Sequence, residues 1–274
     1  MKVLALNALL FAALLGQAQD ALAVSGGKMA LPGQFPYQVL IRPINAVSGL
    51  VNKDVSCSGA LIDLQWVLTS ASCLGTSAAG IYQVTLGAFD LTLDEDEETR
   101  MIYDLVTAAY PHEGYNAETG ENDIALLDLG WAATKDDFIA PIRLPAKKDA
   151  KKSFWLWNGA VSGWGSVCPD DKTQGNWVLR WFDSRVQTNL WCRLRDGASQ
   201  VHDTSICVSS FWKKGTCIGD SGNPLAITEW DDVPTLVGVA SSSTASCASN
   251  KPAVFTRVTS YLDWISDKTG IQLR

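Results

Sequence analysis

The sequence predicts an all-β protein, built as barrels or sandwiches, that ends in one helix. Three observations carry this expectation. Short runs of strand length alternate apolar and polar residues along most of the chain. Gly, Pro, Asn and Asp separate these runs, and no long stretch of period 3.6 interrupts them before the tail. In the tail, Val258, Leu262 and Ile265, with Tyr261 and Trp264 beside them, fall on one helical face.

Taken in order, the expected strands of the first half cover residues 37–41, 59–62, 66–70, 82–86, 101–108 and 124–128. Residues 129–145 carry the chain to a second half, with strands expected at 160–163, 180–188, 203–208, 235–240 and 253–257. Thr259 or Ser260 is the expected cap of the final helix, over residues 259–269. The two halves then run from about 24 to 130 and from about 146 to 258.

Composition narrows the function classes. The 274 residues are 47% hydrophobic, which suits one globular unit or two halves sharing a core. A net charge of −7 argues against nucleic acid or an anionic membrane as partner. Lys2 followed by the apolar run 3–15 reads as a signal peptide ending near residue 23, so the protein is expected to be secreted, with no membrane anchor. Seven cysteines in a secreted chain imply disulfides with one thiol left over. There is no Asn-x-Ser/Thr site for N-glycosylation.

The stretch with the strongest chemical content is Thr216-Cys217-Ile218-Gly219-Asp220-Ser221-Gly222-Asn223-Pro224-Leu225. Glycines on both sides put Ser221 on a tight turn that presents its hydroxyl. The N–H groups of Gly219 and Ser221 can converge where a developing oxyanion needs them. Gly-Asp-Ser-Gly also occurs as an ordinary turn.

Further ordered segments turn that loop into a family resemblance. They are Gly33-Gln34-Phe35-Pro36-Tyr37-Gln38-Val39, Cys57-Ser58-Gly59-Ala60-Leu61-Ile62 and Trp66-Val67-Leu68-Thr69-Ser70-Ala71-Ser72-Cys73. Asn122-Asp123-Ile124-Ala125-Leu126-Leu127, Ser162-Gly163-Trp164-Gly165 and Pro252-Ala253-Val254-Phe255-Thr256-Arg257-Val258 follow. Together they resemble the chymotrypsin-like serine proteases over nearly the whole of 24–274. That resemblance implies two six-stranded antiparallel barrels with the site in the cleft between them. It implies Ser221 as nucleophile, Asp123 as the group that orients the base, and Gly219 and Ser221 as the oxyanion hole. The bridges it implies are Cys57–Cys73, Cys192–Cys207 and Cys217–Cys247, which leaves Cys168 unpaired and open to an intermolecular disulfide.

The chain departs from the family at the base. Where the family reads His-Cys, this chain reads Ser72-Cys73, and a serine hydroxyl has no titrating nitrogen to accept a proton near neutral pH. The only two histidines, His112 and His202, lie in loops elsewhere. Pocket positions depart too. Gly215 stands at the pocket floor where a trypsin-like enzyme has Asp, Ser241-Ser242-Ser243 replaces Ser-Trp-Gly, and Ala253 replaces a glycine. Side chains at Ser243 and Ala253 narrow the pocket, as in elastases. In the family a new N-terminal amine pairs with the Asp before the nucleophile, here Val24 with Asp220. No Lys or Arg lies between Lys2 and Lys28, so trypsin-like activation does not create that amine. Either signal peptidase exposes Val24, or a short 19–23 segment is removed another way, or Val24 stays internal.

The expectation is therefore a secreted, catalytically inactive homologue. It acts by binding proteins or peptides: proteases, inhibitors or microbial surface ligands. The alternative is an active endopeptidase of elastase-like preference. No cofactor is implied. The acidic run Asp94-Glu95-Asp96-Glu97-Glu98 reads as a solvated loop, with calcium as the alternative. Most of the eleven tryptophans are expected in cores or against strands, and Trp155 and Trp157, if exposed, mark a binding surface.

Overall fold

The apolar runs at 66–68 and 124–127 have no alternation, which makes sense only if both faces of those strands are covered. In the computed structural model, they are. The structure describes residues 27–45, 47–52, 57–74, 80–93, 101–165, 177–196, 201–209, 220–241 and 252–274. The first half forms β2 (Gln38–Pro43), β3 (Cys57–Leu61), β4 (Trp66–Thr69), β5 (Tyr82–Leu86), β6 (Met101–Val106), β7 (Ala108–Pro111) and β8 (Ala125–Asp128). These run antiparallel in the order β6-β5-β2-β3-β4-β8-β7. Only Thr107 separates β6 from β7, so the two ends of this sheet are one bent strand and the sheet closes on itself. Leu105, at a φ of 60°, lies just before the bend.

The second half forms β9 (Asn158–Gly163), β10 (Arg180–Gln187), β11 (Ser205–Val208), β12 (Pro224–Thr228), β13 (Pro234–Ala240) and β14 (Ala253–Arg257). The order β10-β11-β14-β13-β12-β9 is closed by β9 pairing back onto β10, with Phe182 opposite Val161. A short β1 (Lys28–Met29) adds to the outside of β10. The fold is thus a pair of six-stranded antiparallel barrels with a C-terminal helix.

Period-2 alternation then explains the cores. Val39 and Ile41 of β2, Val67 of β4 and Leu127 of β8 fill the first barrel. Val161, Phe182, Ile206, Leu225 and Phe255 fill the second. The opposite faces of β4 and β8 supply Leu68 and Leu126 to a third cluster, where Tyr37, Ile124, Val239, Val258 and Ile265 join them. That cluster is the seam between the barrels. Each buried aliphatic side chain there contributes roughly 1.5–3 kcal/mol relative to leaving it exposed.

Two expectations need correcting. Neither Thr259 nor Ser260 caps the last helix. Val258–Tyr261 form a 3₁₀ turn, and α3 (Leu262–Thr269) starts after it with no side-chain cap. An unexpected helix α2 (Asn189–Asp196) lies between β10 and β11, after the single helical turn α1 (Ala71–Leu74) that follows β4. Most described tryptophans lie as expected, with Trp66, Trp157, Trp164, Trp181, Trp191 and Trp264 in or packed against the buried clusters and Trp164 fully buried. Trp131, Trp155, Trp177 and Trp230 are exposed, and the others are half-buried. Among the described residues, no helix is long and apolar enough to cross a membrane.

Candidate active site

Asp123 lies at the barrel seam with none of its surface exposed. A carboxylate in that position must be hydrogen-bonded to remain there. The Ser72 N–H donates to Oδ1 at 2.6 Å. The Ser72 and Ser241 hydroxyls donate to Oδ2 at 2.9 Å and 2.6 Å. Ser72 comes from α1 of the first barrel and Ser241 from the end of β13 in the second, so the carboxylate is held from both sides. The Thr256 hydroxyl of β14 donates to the Asp123 carbonyl at 2.7 Å, which adds a third tie across the seam.

The residue before it sets the direction of Asp123. Asn122 has a φ of 55°, a left-handed conformation that Asn tolerates better than most residues. Its amide donates to the Gly114 carbonyl and its oxygen accepts from the Tyr261 hydroxyl, both at 2.8 Å. Asn122 is therefore clamped, and the backbone turns the next side chain inward.

The Ser72 side chain is half-buried and its hydroxyl lies 3.1 Å from that of Ser70. It is also hydrogen-bonded to the Tyr115 phenol, whose pKa is pushed up by burial and, secondly, by the Asp123 charge. A hydroxyl carries one proton, and here a charged acceptor lies within reach of it. The Ser72 hydroxyl has no titrating nitrogen to take a proton near neutral pH.

The Ser221 turn docks on the first barrel. The Ser58 N–H donates to the Ser221 carbonyl at 2.9 Å, and the Gly222 N–H to the Ala240 carbonyl at 2.8 Å. Gly222 has a φ of 84°, and a Cβ there would collide with the Ser58 carbonyl and the Thr69 hydroxyl, so only glycine fits. Thr69 leads through Ser70 and Ala71 to Ser72, which brings the serine turn and the Asp123 cluster onto the same end of β4. Asn223 is fully buried, and its amide donates to Asp220 Oδ1 at 2.6 Å. Side chain meets side chain where the family has glycine.

Both histidines are engaged elsewhere. His112 accepts the Gly114 N–H through Nδ1 at 3.1 Å and packs on the rings of Tyr261 and Trp264. His202 Nε2 lies 2.9 Å from the Thr119 carbonyl. The structure joins Cys57 to Cys73 and Cys192 to Cys207. Ala253 is buried with the second barrel's core. Val24, the 94–98 run, Cys168, Gly215, Cys217, Gly219, Ser242, Ser243 and Cys247 lie outside the described residues. The sequence reading missed Tyr115, Asn122 and Thr256. Asn122 alone carried a signal, as an Asn directly before the Asp.

The Trypsin family profile matches residues 24–265 of this chain. The chain belongs to the trypsin family. Among its trypsin-family relatives, brachyurin of Leptuca pugilator is 35% identical over 252 residues, covering 90% of this chain and 99% of that protein. Collagenase of Hypoderma lineatum is 32% identical over 249 residues, covering 90% of this chain and 88% of that protein. A solved HL collagenase structure superposes with a TM-score of 0.75 at 32% identity, covering 90% of this chain and 99% of that one. Membership of the trypsin family points to proteins or peptides as substrates or partners.

Proposed function

We propose that this chain is a secreted trypsin-family protein that has lost peptide-bond hydrolysis and acts by binding proteins or peptides without a cofactor. One observation carries the reading: a serine, Ser72, donates its hydroxyl to the Asp123 carboxylate, in the place the family resemblance reserves for the general base. An imidazole there takes the nucleophile's proton while the carboxylate stabilises the imidazolium. The Ser72 hydroxyl can donate a hydrogen bond to Asp123 but cannot take a proton from Ser221. Protease series put the loss of the base on the order of a millionfold in turnover. What survives, roughly a thousandfold over water, comes from the oxyanion hole and binding.

The partners that suit this reading are proteases, protease inhibitors or microbial surface ligands. A second reading, an active endopeptidase of elastase-like preference, draws on the relatives named as a collagenase and as serine proteases and on the presence of both Ser221 and Asp123.

The test sets the wild type beside Ser72→His on a panel of peptide substrates. The proposal expects no turnover above background from the wild type and a gain of at least about a thousandfold in the variant. Wild-type turnover in the normal protease range would establish the second reading instead.

A further inference from the structure

The Ser153–Trp157 turn holds two residues in the left-handed region. Phe154 and Leu156 have φ values of 55° and 66°, a region where bulky L-residues are rare. Such strain persists only where the surroundings over-determine it, and it concentrates at ligand sites. Here, it buries Phe154 in the second barrel and turns Trp155 and Leu156, each half or more exposed, out to solvent. The turn is not loose. The Leu156 N–H donates to the Val186 carbonyl at 3.0 Å, and the Val186 N–H to the Trp157 carbonyl at 2.9 Å, which fastens it to β10 on both sides.

Across from it, Trp230 projects from the β12–β13 turn with 92% of its surface exposed. That turn is braced by Arg143, which donates to Asp231 at 2.6 Å. The Trp157 and Trp230 rings meet edge to face, 5.6 Å apart and at 75°. Between the two turns lies a cleft of about 590 Å³, lined by Trp155, Leu156, Trp157, Asn158, Thr228 and Trp230. Asn158 and Thr228 lie one step beyond the Gly159–Ile227 pair of β9 and β12, so their exposed side chains are neighbours on one rigid sheet edge.

From these features, we infer that the tryptophan cleft is a binding site for a neutral oligosaccharide chain. Size and charge select the occupant. A stable protein interface takes about 800 Å² and 20–30 residues per partner, far more than this cleft offers, so a second copy of the chain does not fit the role. Its volume lies in the range of small-ligand sites. Every lining side chain is uncharged. Of the charges nearby, Lys152 lies 3.6 Å from Asp149 and over the Trp157 ring, Asp231 is held by Arg143, and Arg185 stands opposite Asn158 on β10 without lining the cleft. No cationic side chain among the lining residues is there to hold an anionic ligand. A pyranose offers an apolar C–H face to an indole and a rim of hydroxyls that both donate and accept. Asn158 and Thr228 supply both functions beside the rings. This inference is independent of whether Ser221 reacts.

The test is a tryptophan-fluorescence titration of the full chain with chitohexaose and cellohexaose, followed for wild type, Trp155→Ala, Trp230→Ala and Trp177→Ala. Trp177 is an exposed tryptophan elsewhere on the surface and serves as the control. Saturable binding of at least one sugar is expected, weakened about tenfold or more by Trp155→Ala and by Trp230→Ala and unchanged by Trp177→Ala. Thermal unfolding of each variant shows that the fold is intact, and Ser221→Ala should leave the titration unchanged. Absence of saturable binding, binding insensitive to both cleft variants, or binding of decaproline in place of either sugar would each overturn the assignment.

Discussion

At the residue scale, Asp123 is the most constrained side chain of the site. It is fully buried and accepts from the Ser72 N–H and from two hydroxyls. Asp123→Asn sets an amide N–H₂ against those donors, and urea unfolding should show a loss of about 2–3 kcal/mol. Asn223 holds Asp220 through a buried amide, so Asn223→Ala should lose about 1–3 kcal/mol in the same measurement. The sequence announced Ser72 because it directly precedes Cys73 in a recognisable segment. It did not announce the Asn223–Asp220 bond, because a contact between two side chains three positions apart in a turn has no periodic signature. Tyr115 was hidden for a related reason. Its loop is irregular, and only the closed fold brings the phenol to Ser72.

At the element scale, the helix α2 shows how periodicity misleads. Its apolar residues Leu190 and Leu194 are 67% and 79% exposed, so the apolar stripe that marks a core-facing helix points to solvent. What holds the helix inward is Cys192, bonded to Cys207 of β11, together with the Asn189 amide donating to the His202 and Ser205 carbonyls at 2.9 Å and 3.0 Å. A double Cys192→Ser, Cys207→Ser variant should lose about 2–4 kcal/mol by denaturant unfolding. β12 was overlooked for the opposite reason. It begins at Pro224, a residue confined to strand starts and edges, and reads as the tail of the serine turn.

The contact between the His112 loop and α3 gives the element its pH dependence. Burial, first of all, holds the His112 pKa below its usual 6.5, with Glu113 opposing and Lys268 reinforcing the shift. The unfolded chain thus binds this proton more readily. Stability is full above 6.5 and is withdrawn as the pH falls from there through the folded pKa. Glu113 behaves in the same direction further down. Hydrogen bonding by Lys268, first of all, lowers its pKa from 4.5 to about 2, so its contribution fades between those values. Unfolding free energies measured from neutral pH to about pH 5 should fall in the wild type and fall less in His112→Asn.

At the scale of the whole molecule, alternation and turn residues made the all-β class legible, and the ordered motifs made the barrel pair legible. The strand pairing that closes the first barrel was not. It depends on a bend at Thr107 that splits one expected strand into β6 and β7, each pairing with a different neighbour. The double burial of β4 and β8 could be read only as unbroken apolar runs, and the seam they build carries Asp123, Ser241 and Thr256 to one place. In the proposed function, that seam sets beside Asp123 a hydroxyl that cannot accept a proton. The most direct measurement of this central claim is the rate at which a fluorophosphonate phosphonylates Ser221 with loss of fluoride, followed by intact mass in the wild type and in Ser72→His. The account predicts no labelling of the wild type on the timescale that saturates the variant. Labelling of wild-type Ser221 at the variant's rate would contradict it.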